Sequence, residues 1–208
     1  MPINTNIQPR PMTIPGTPEI KGFYDLRGRF TLPGPWPASH RRPLDEIIED
    51  IIHHDGSLLV PGDRDHNGTT MDEDVERIDA DCRWFWQHQR EIGEPINPER
   101  PPYHLWVSPN GPRVYLCLDP TITGAHAGGH NRHSLGFVLL GNFVTRTPPL
   151  TQVAAAGGAV AASYRGLQRK VPISPHSRHL GQSTVCPGPL WPQWGPFVEY
   201  VARKYAGF

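Results

Sequence analysis

Between Thr70 and Gly93 the apolar residues Val75, Ile78, Cys82, Phe85 and Ile92 recur at spacings of 3, 4 and 7, one stripe of an α-helix. Thr70 followed three residues later by Glu73 is a capping-box pattern that marks the start of this helix, and Gly93 marks its stop. The Ala-rich run TQVAAAGGAVAASYRGLQRK (151–170) predicts a second helix, whose small residues allow close packing on a sheet. A third is expected near the C-terminus from about Pro196, because proline is tolerated in a first helical turn. YHLWVSPNGPRVYLCLD (103–119) holds two β-rich runs around Asn110-Gly111 and reads as a hairpin. SLGFVLLGNF (134–143) is a continuous apolar run suited to a central strand. DEIIEDIIHHDG (45–56) is ambiguous, since its isoleucines have helical spacing but the segment is short and β-branched. Taken in order, these elements predict an α/β sandwich with helices flanking a mixed central β-sheet.

Residues 1–43 hold nine prolines and no periodicity, and read as an N-terminal arm or linker ahead of a folded unit at 44–208. Within the arm only GFYDLRGRF (22–30) has enough aromatic content to dock on that unit. Glycine (21) and proline (25) make up about a fifth of the 208 residues, so a loop-rich molecule is expected. The formal net charge is zero, which argues against nucleic acid or an acidic lipid surface as partner. The first residues lack the apolar core of a secretory signal, so synthesis in the cytoplasm is expected. No apolar stretch is long enough for a transmembrane helix, and no membrane insertion is expected. Three cysteines, an odd and sparse set, point to reduced thiols rather than a disulfide framework. A monomer is expected.

The chemistry starts from Cys186. His179 lies seven residues before it and His176 ten before it. Thiolate and imidazole are ligands that zinc prefers, and a catalytic zinc takes three protein ligands and keeps one position open. One of these histidines, one of the pair His53-His54, and Cys186 would make such a set. Cys82 and Cys117 read as small buried hydrophobes. Trp84 and Trp86, flanking the helical stripe, read as core. DRDHNGTTMDED places Asp63, Asp65, Asn67, Gly68 and Asp74 at EF-hand-like spacing. The alternative for that segment is an acidic loop in which Asp72, Glu73 and Asp74 complement the dipole of the helix they enter.

Four blocks, IIHHDG, YHLWVSPNG, AHAGGHNRHSLGFVLLGNF and SPHSRHLGQSTVCPG, together resemble the successive motifs of the amidase-2 family, to which T7-type phage lysozymes and peptidoglycan recognition proteins belong. The resemblance covers about residues 47–200, and makes the ambiguous isoleucine segment a strand. It implies a zinc ion held by His53, His176 and Cys186, with His179 the rival of His176 and His54 supporting or packing beneath the site. It further implies a catalytic Tyr103, which orients water or assists proton transfer. Thr184 stands where some members carry lysine, and would donate a hydrogen bond to the developing oxyanion. His104, His126 and Asn131 match residues that line the substrate groove, although loop hydrogen bonding is an equal reading for the last two. The implied activity is zinc-dependent hydrolysis of the amide between the N-acetylmuramic acid lactyl group and L-alanine of the peptidoglycan stem peptide. A non-catalytic peptidoglycan-binding sensor and a muropeptide-recycling amidase are the alternatives. The proline-rich arm and the PGPLWPQW segment resemble amidase domains of endolysins from phages of actinobacteria, which implies synthesis inside the host cell and action on its wall.

Overall fold

A computed structural model of the chain describes residues 3–13, 22–30, 35–56, 70–96, 98–109, 113–179 and 184–208. Its elements are β1 (Arg10–Met12), β2 (Gly22–Asp25), β3 (Glu49–His54), α1 (Met71–Glu91), β4 (Leu105–Val107), β5 (Arg113–Leu116), β6 (Ser134–Leu139), α2 (Leu150–Leu167), β7 (Ile173–Pro175) and α3 (Trp191–Tyr205). The strands form one mixed sheet in the order β1-β2-β5-β4-β6-β3-β7. β3, β4, β6 and β7 run parallel, while β4 pairs antiparallel with β5 and β1 with β2. The turn expected at Asn110-Gly111 lies outside the described residues, as do Asp63, Asp65, Asn67 and Gly68.

Strand alternation divides the interior into two layers. Ile52, Leu105, Val107, Val114, Leu116, Phe137 and Leu139 face α2 and α3. Trp106, Tyr115 and Val138 face α1, where they meet Val75, Ile78, Cys82 and Trp86. The expected α1 stripe therefore holds through Cys82 to Phe85, which is half-buried against the same cluster, and Trp86 beside it is the more deeply buried of the two. Ile92 lies past the helix end and is exposed. Trp84, expected in the core, is 65% exposed and stacks on His88 instead. The capping box forms: Glu73 N–H donates to the Thr70 hydroxyl, and Thr70 N–H donates to the Glu73 carboxylate.

The small residues of α2 serve a second surface besides the sheet. A Cβ on Gly157 would stand 2.6 Å from Cβ of Val201, so this glycine lets α2 and α3 approach closely. α3 begins at Trp191, five residues before the expected start at Pro196. Pro192 takes a first-turn position where its missing N–H costs nothing, and Pro196 sits inside the helix.

Residues of the expected arm join the sheet. β2 lies parallel to β5, and GFYDLRGRF docks as anticipated, with Leu26 and Phe30 buried under α1. Arg29 clamps α1 with two bonds to Asp79, Nε–Oδ1 at 2.8 Å and Nη2–Oδ2 at 2.6 Å. Asp74, considered as a helix-dipole partner and as a cation ligand, is fully buried and spends its carboxylate elsewhere. Ser108 donates to its Oδ1, while Arg113 and Tyr115 donate to its Oδ2. It ties α1 to the β4–β5 pair.

Candidate functional site

The residues that matter lie on the α1 side of the sheet. Odd positions of β3 face that way, so Glu49, Ile51 and His53 share one face and His54 turns to the other. His54 accepts a hydrogen bond at Nδ1 from Phe143 N–H at 3.1 Å, and so packs beneath the site rather than in it. His53 is fully buried. His176 follows directly on β7, the neighbour of β3, and its ring centroid is 4.4 Å from that of His53. Cys186 Sγ lies 3.7 Å from His53 Nδ1. Ligating atoms of His53, His176 and Cys186 all fall within 4.8 Å of one another.

This set fits zinc. A tetrahedral ion at about 2.3 Å from sulfur and 2.0–2.1 Å from nitrogen holds those atoms about 3.6 Å apart, close to the 3.7 Å observed. Of the two rival histidines, the geometry brings His176 to this group. His179 instead faces Ser174 and Glu49.

Electrostatics agree with the donor chemistry. Burial, with the neighbouring His126 and His176 adding to it, holds His53 well below the usual imidazole range, so its ring is neutral and has a lone pair to give. Burial pushes the Cys186 thiol up to about 12, against the opposing effect of the His54 backbone N–H, which donates to Sγ at 3.3 Å. Without a cation this sulfur keeps its proton.

Tyr103, two residues before β4, packs its ring 4.8 Å from His53 and 5.3 Å from Trp106. Burial, then the nearby Cys186, push its hydroxyl above the ordinary phenol range, which makes it an O–H donor rather than a base. Thr184 is half-buried, and its Oγ accepts from Cys186 N–H at 3.1 Å. That bond fixes the hydroxyl oxygen and leaves its proton to donate.

Three residues expected to contact substrate are placed differently. His104 is fully buried with both ring nitrogens engaged: Gly136 N–H donates to Nδ1, and Nε2 lies 2.9 Å from both Arg42 Nη2 and the Ile122 carbonyl. It holds β4 to β6 and is no groove residue. Asn131 uses its side-chain oxygen to accept from His126 N–H and Ala127 N–H, a loop bond. His126 is nearly buried, with Nδ1 3.1 Å from His53 Nε2. Were a metal held at Nδ1 of His53, the ring proton would sit on Nε2 and donate to His126. This would fix the tautomer and ring angle of His53.

Other contributors were not anticipated. A Cβ on Gly136 would stand 2.6 Å from the His126 ring, so only glycine leaves room for that ring over β6. The signal was present: a lone glycine in an apolar strand marks a close approach. Arg42, buried, donates to the carbonyls of Pro120, Asn131, Arg132 and Ser134 and so shapes the loop that presents His126. Arg77 pairs with Asp55 at 2.7 Å, fastening α1 to the end of β3. Cys82 and Cys117 are buried thiols, as expected.

The four sequence motifs, the mixed sheet and the His-His-Cys group converge on one family, and comparison with known proteins agrees. The N-acetylmuramoyl-L-alanine amidase family matches residues 48–189. The chain belongs to this amidase-2 family. It is 30% identical over 175 residues to a peptidoglycan-recognition protein of Drosophila melanogaster, covering 78% of this chain and 85% of that protein. The fold is shared with Drosophila PGRP-LB (TM-score 0.58, 22% identity, covering 86% of this chain and 94% of that one). It is also shared with the N-acetylmuramoyl-L-alanine amidase LysC of Clostridium intestinale (TM-score 0.51, 16% identity, covering 79% and 93%). Among the described residues of this amidase-family chain, no helix is long and apolar enough to cross a membrane.

Proposed function

We propose that this protein is a zinc-dependent N-acetylmuramoyl-L-alanine amidase, which hydrolyses the amide joining the muramic acid lactyl group to L-alanine of the stem peptide. The observation that carries this reading is the convergence of His53, His176 and Cys186 beside the ring of Tyr103. Zinc held by these three would supply a Lewis acid and bring the pKa of a bound water toward neutrality.

The chain's own groups do the rest. His126 holds the His53 ring, and Tyr103, a protonated phenol, orients the attacking water or the scissile carbonyl through its O–H. Thr184, anchored on Cys186 N–H, presents a hydroxyl proton to the charge that develops on the carbonyl oxygen. Family membership supports peptidoglycan as substrate. A PGRP-LB variant of the same fold was solved with tracheal cytotoxin bound. Action on intact wall as a phage endolysin is supported by the resemblance of the proline-rich arm and the PGPLWPQW segment.

The test is paired. Purified protein should hold zinc and release stem peptides with a new L-alanine amino terminus from intact cell walls, and Cys186→Ser and His53→Ala should lose both together. Binding to walls without peptide release would favour the sensor, and release from soluble muropeptides alone would favour the recycling enzyme. Full activity in Cys186→Ser would overturn the ligand set.

A further inference from the structure

The three segments that build the His53 group pass a second set of donors along the same face. β3 supplies Glu49 four residues before His53. The loop before β6 supplies His130 four residues after His126. The turn after β7 supplies His179 three residues after His176. Ligating atoms of Glu49, His130 and His179 all lie within 4.8 Å of one another. His130 Nδ1 is 3.3 Å from Glu49 Oε1, and His179 Nε2 is 3.7 Å from Glu49 Oε2. The two imidazole rings lie with centroids 4.3 Å apart, tilted by 56°.

We propose that Glu49, His130 and His179 form a second divalent-metal site, of the two-histidine, one-carboxylate kind. A tetrahedral ion bound at about 2.1 Å holds nitrogen and oxygen ligands about 3.4 Å apart. His130 stands 3.3 Å from one Glu49 oxygen and His179 3.7 Å from the other, so the carboxylate reaches both imidazoles and a small closure of the three donors completes the set. The Ser174 hydroxyl bridges the two donors, 3.0 Å from His179 Nε2 and 3.4 Å from Glu49 Oε2, and an ion bound at Nε2 would replace it on that nitrogen.

Four residues of strand separate Glu49 from His53 by about 13 Å. Paired metals in a bridged centre sit only about 3.5–4 Å apart, so this is a separate ion and not half of a binuclear one. Imidazole and carboxylate without thiolate suit zinc, nickel, cobalt or manganese. The nearby positive charge of Arg178 and the part-exposed His130 make it the weaker of the two sites. The proposal does not depend on the chemistry assigned to the first group.

Cobalt titration of the metal-free full-length chain separates the two, because only a site with Cys186 gives a thiolate-to-cobalt charge-transfer band. The first equivalent should raise that band. The second should add visible d–d absorption without raising it, and zinc analysis should reach two ions per chain. Glu49→Gln, nearly isosteric, should abolish the second equivalent alone. His130→Asn, at a part-exposed position where folding is little at risk, should weaken it at least tenfold. Cys186→Ser should lose the charge-transfer band and keep the other site. Saturation of the wild type at one ion, or a second equivalent unchanged in both Glu49→Gln and His130→Asn, overturns the proposal and leaves a hydrogen-bonded cluster.

Discussion

At the scale of single residues, the site is a set of groups whose charge states are fixed by burial. Cys186, pushed up to about 12, enters the neutral range as a thiol, and His53, held low, enters it as a free base. A bound cation must therefore displace the Cys186 proton, and the imidazole contributes none. Apparent zinc affinity should rise about tenfold per pH unit through neutrality. Competition against a chromophoric chelator at several pH values measures this slope, and a flat profile would mean that Cys186 is not a ligand. Tyr103→Phe keeps the ring packing on His53 and Trp106 but removes the hydroxyl. It should retain zinc while turnover falls by about 10²–10⁴, the usual value of acid–base assistance. Unchanged turnover in the zinc-loaded variant would reduce Tyr103 to a packing residue. Thr184→Ala should lose less, since a neutral hydroxyl is the weaker donor.

At the scale of elements, what was legible depended on how local the signal was. The α1 cap at Thr70 and Glu73 is written within four residues, and it forms as read. The stripe was legible through Phe85, but that Trp86 is buried more deeply than Phe85 is decided by what the sheet presents, here Trp106 and Tyr115. Trp84 illustrates the same limit, because a large apolar side chain carries no label saying which face it takes. β3 could not be told from a helix by its isoleucines, and its strand character comes from the partners β6 and β7 on either side. Among site residues, the Cys186 neighbourhood was legible through donor chemistry and motif order. His104 and Asn131 were not, because one imidazole or amide looks like another until its hydrogen-bond partners are known. His126 shows the intermediate case: its nearness to the site was readable, whereas its bond to His53 is purely tertiary.

At the scale of the whole molecule, the proline-rich N-terminal region is where pattern reading saw least and packing shows most. Prolines and short runs erase periodicity, yet β1 and β2 extend the sheet, and Leu26 and Phe30 complete the layer under α1. Two buried arginines act at long range from this region. Arg29 pairs with the buried Asp79 of α1, and Arg42 gathers the carbonyls of the loop that carries His126. Deleting residues 1–43 removes both. The deletion strips the β5 edge of its partner strand, leaves Asp79 with only the longer 3.8 Å contact to Arg83, and frees the His126 loop from its clamp. Losing one partner of a buried ion pair costs about 3–5 kcal/mol by itself, a large share of the roughly 5–15 kcal/mol that holds a typical domain together. The truncated chain should therefore lack a cooperative thermal transition, with or without added zinc. The milder Arg29→Met change keeps the strands and leaves Asp79 without this partner, and should lower the melting temperature while the zinc group still binds. A truncated chain that melts cooperatively at the temperature of the full chain would show that the first 43 residues are a linker after all, and that the Arg29–Asp79 pair contributes nothing net to stability.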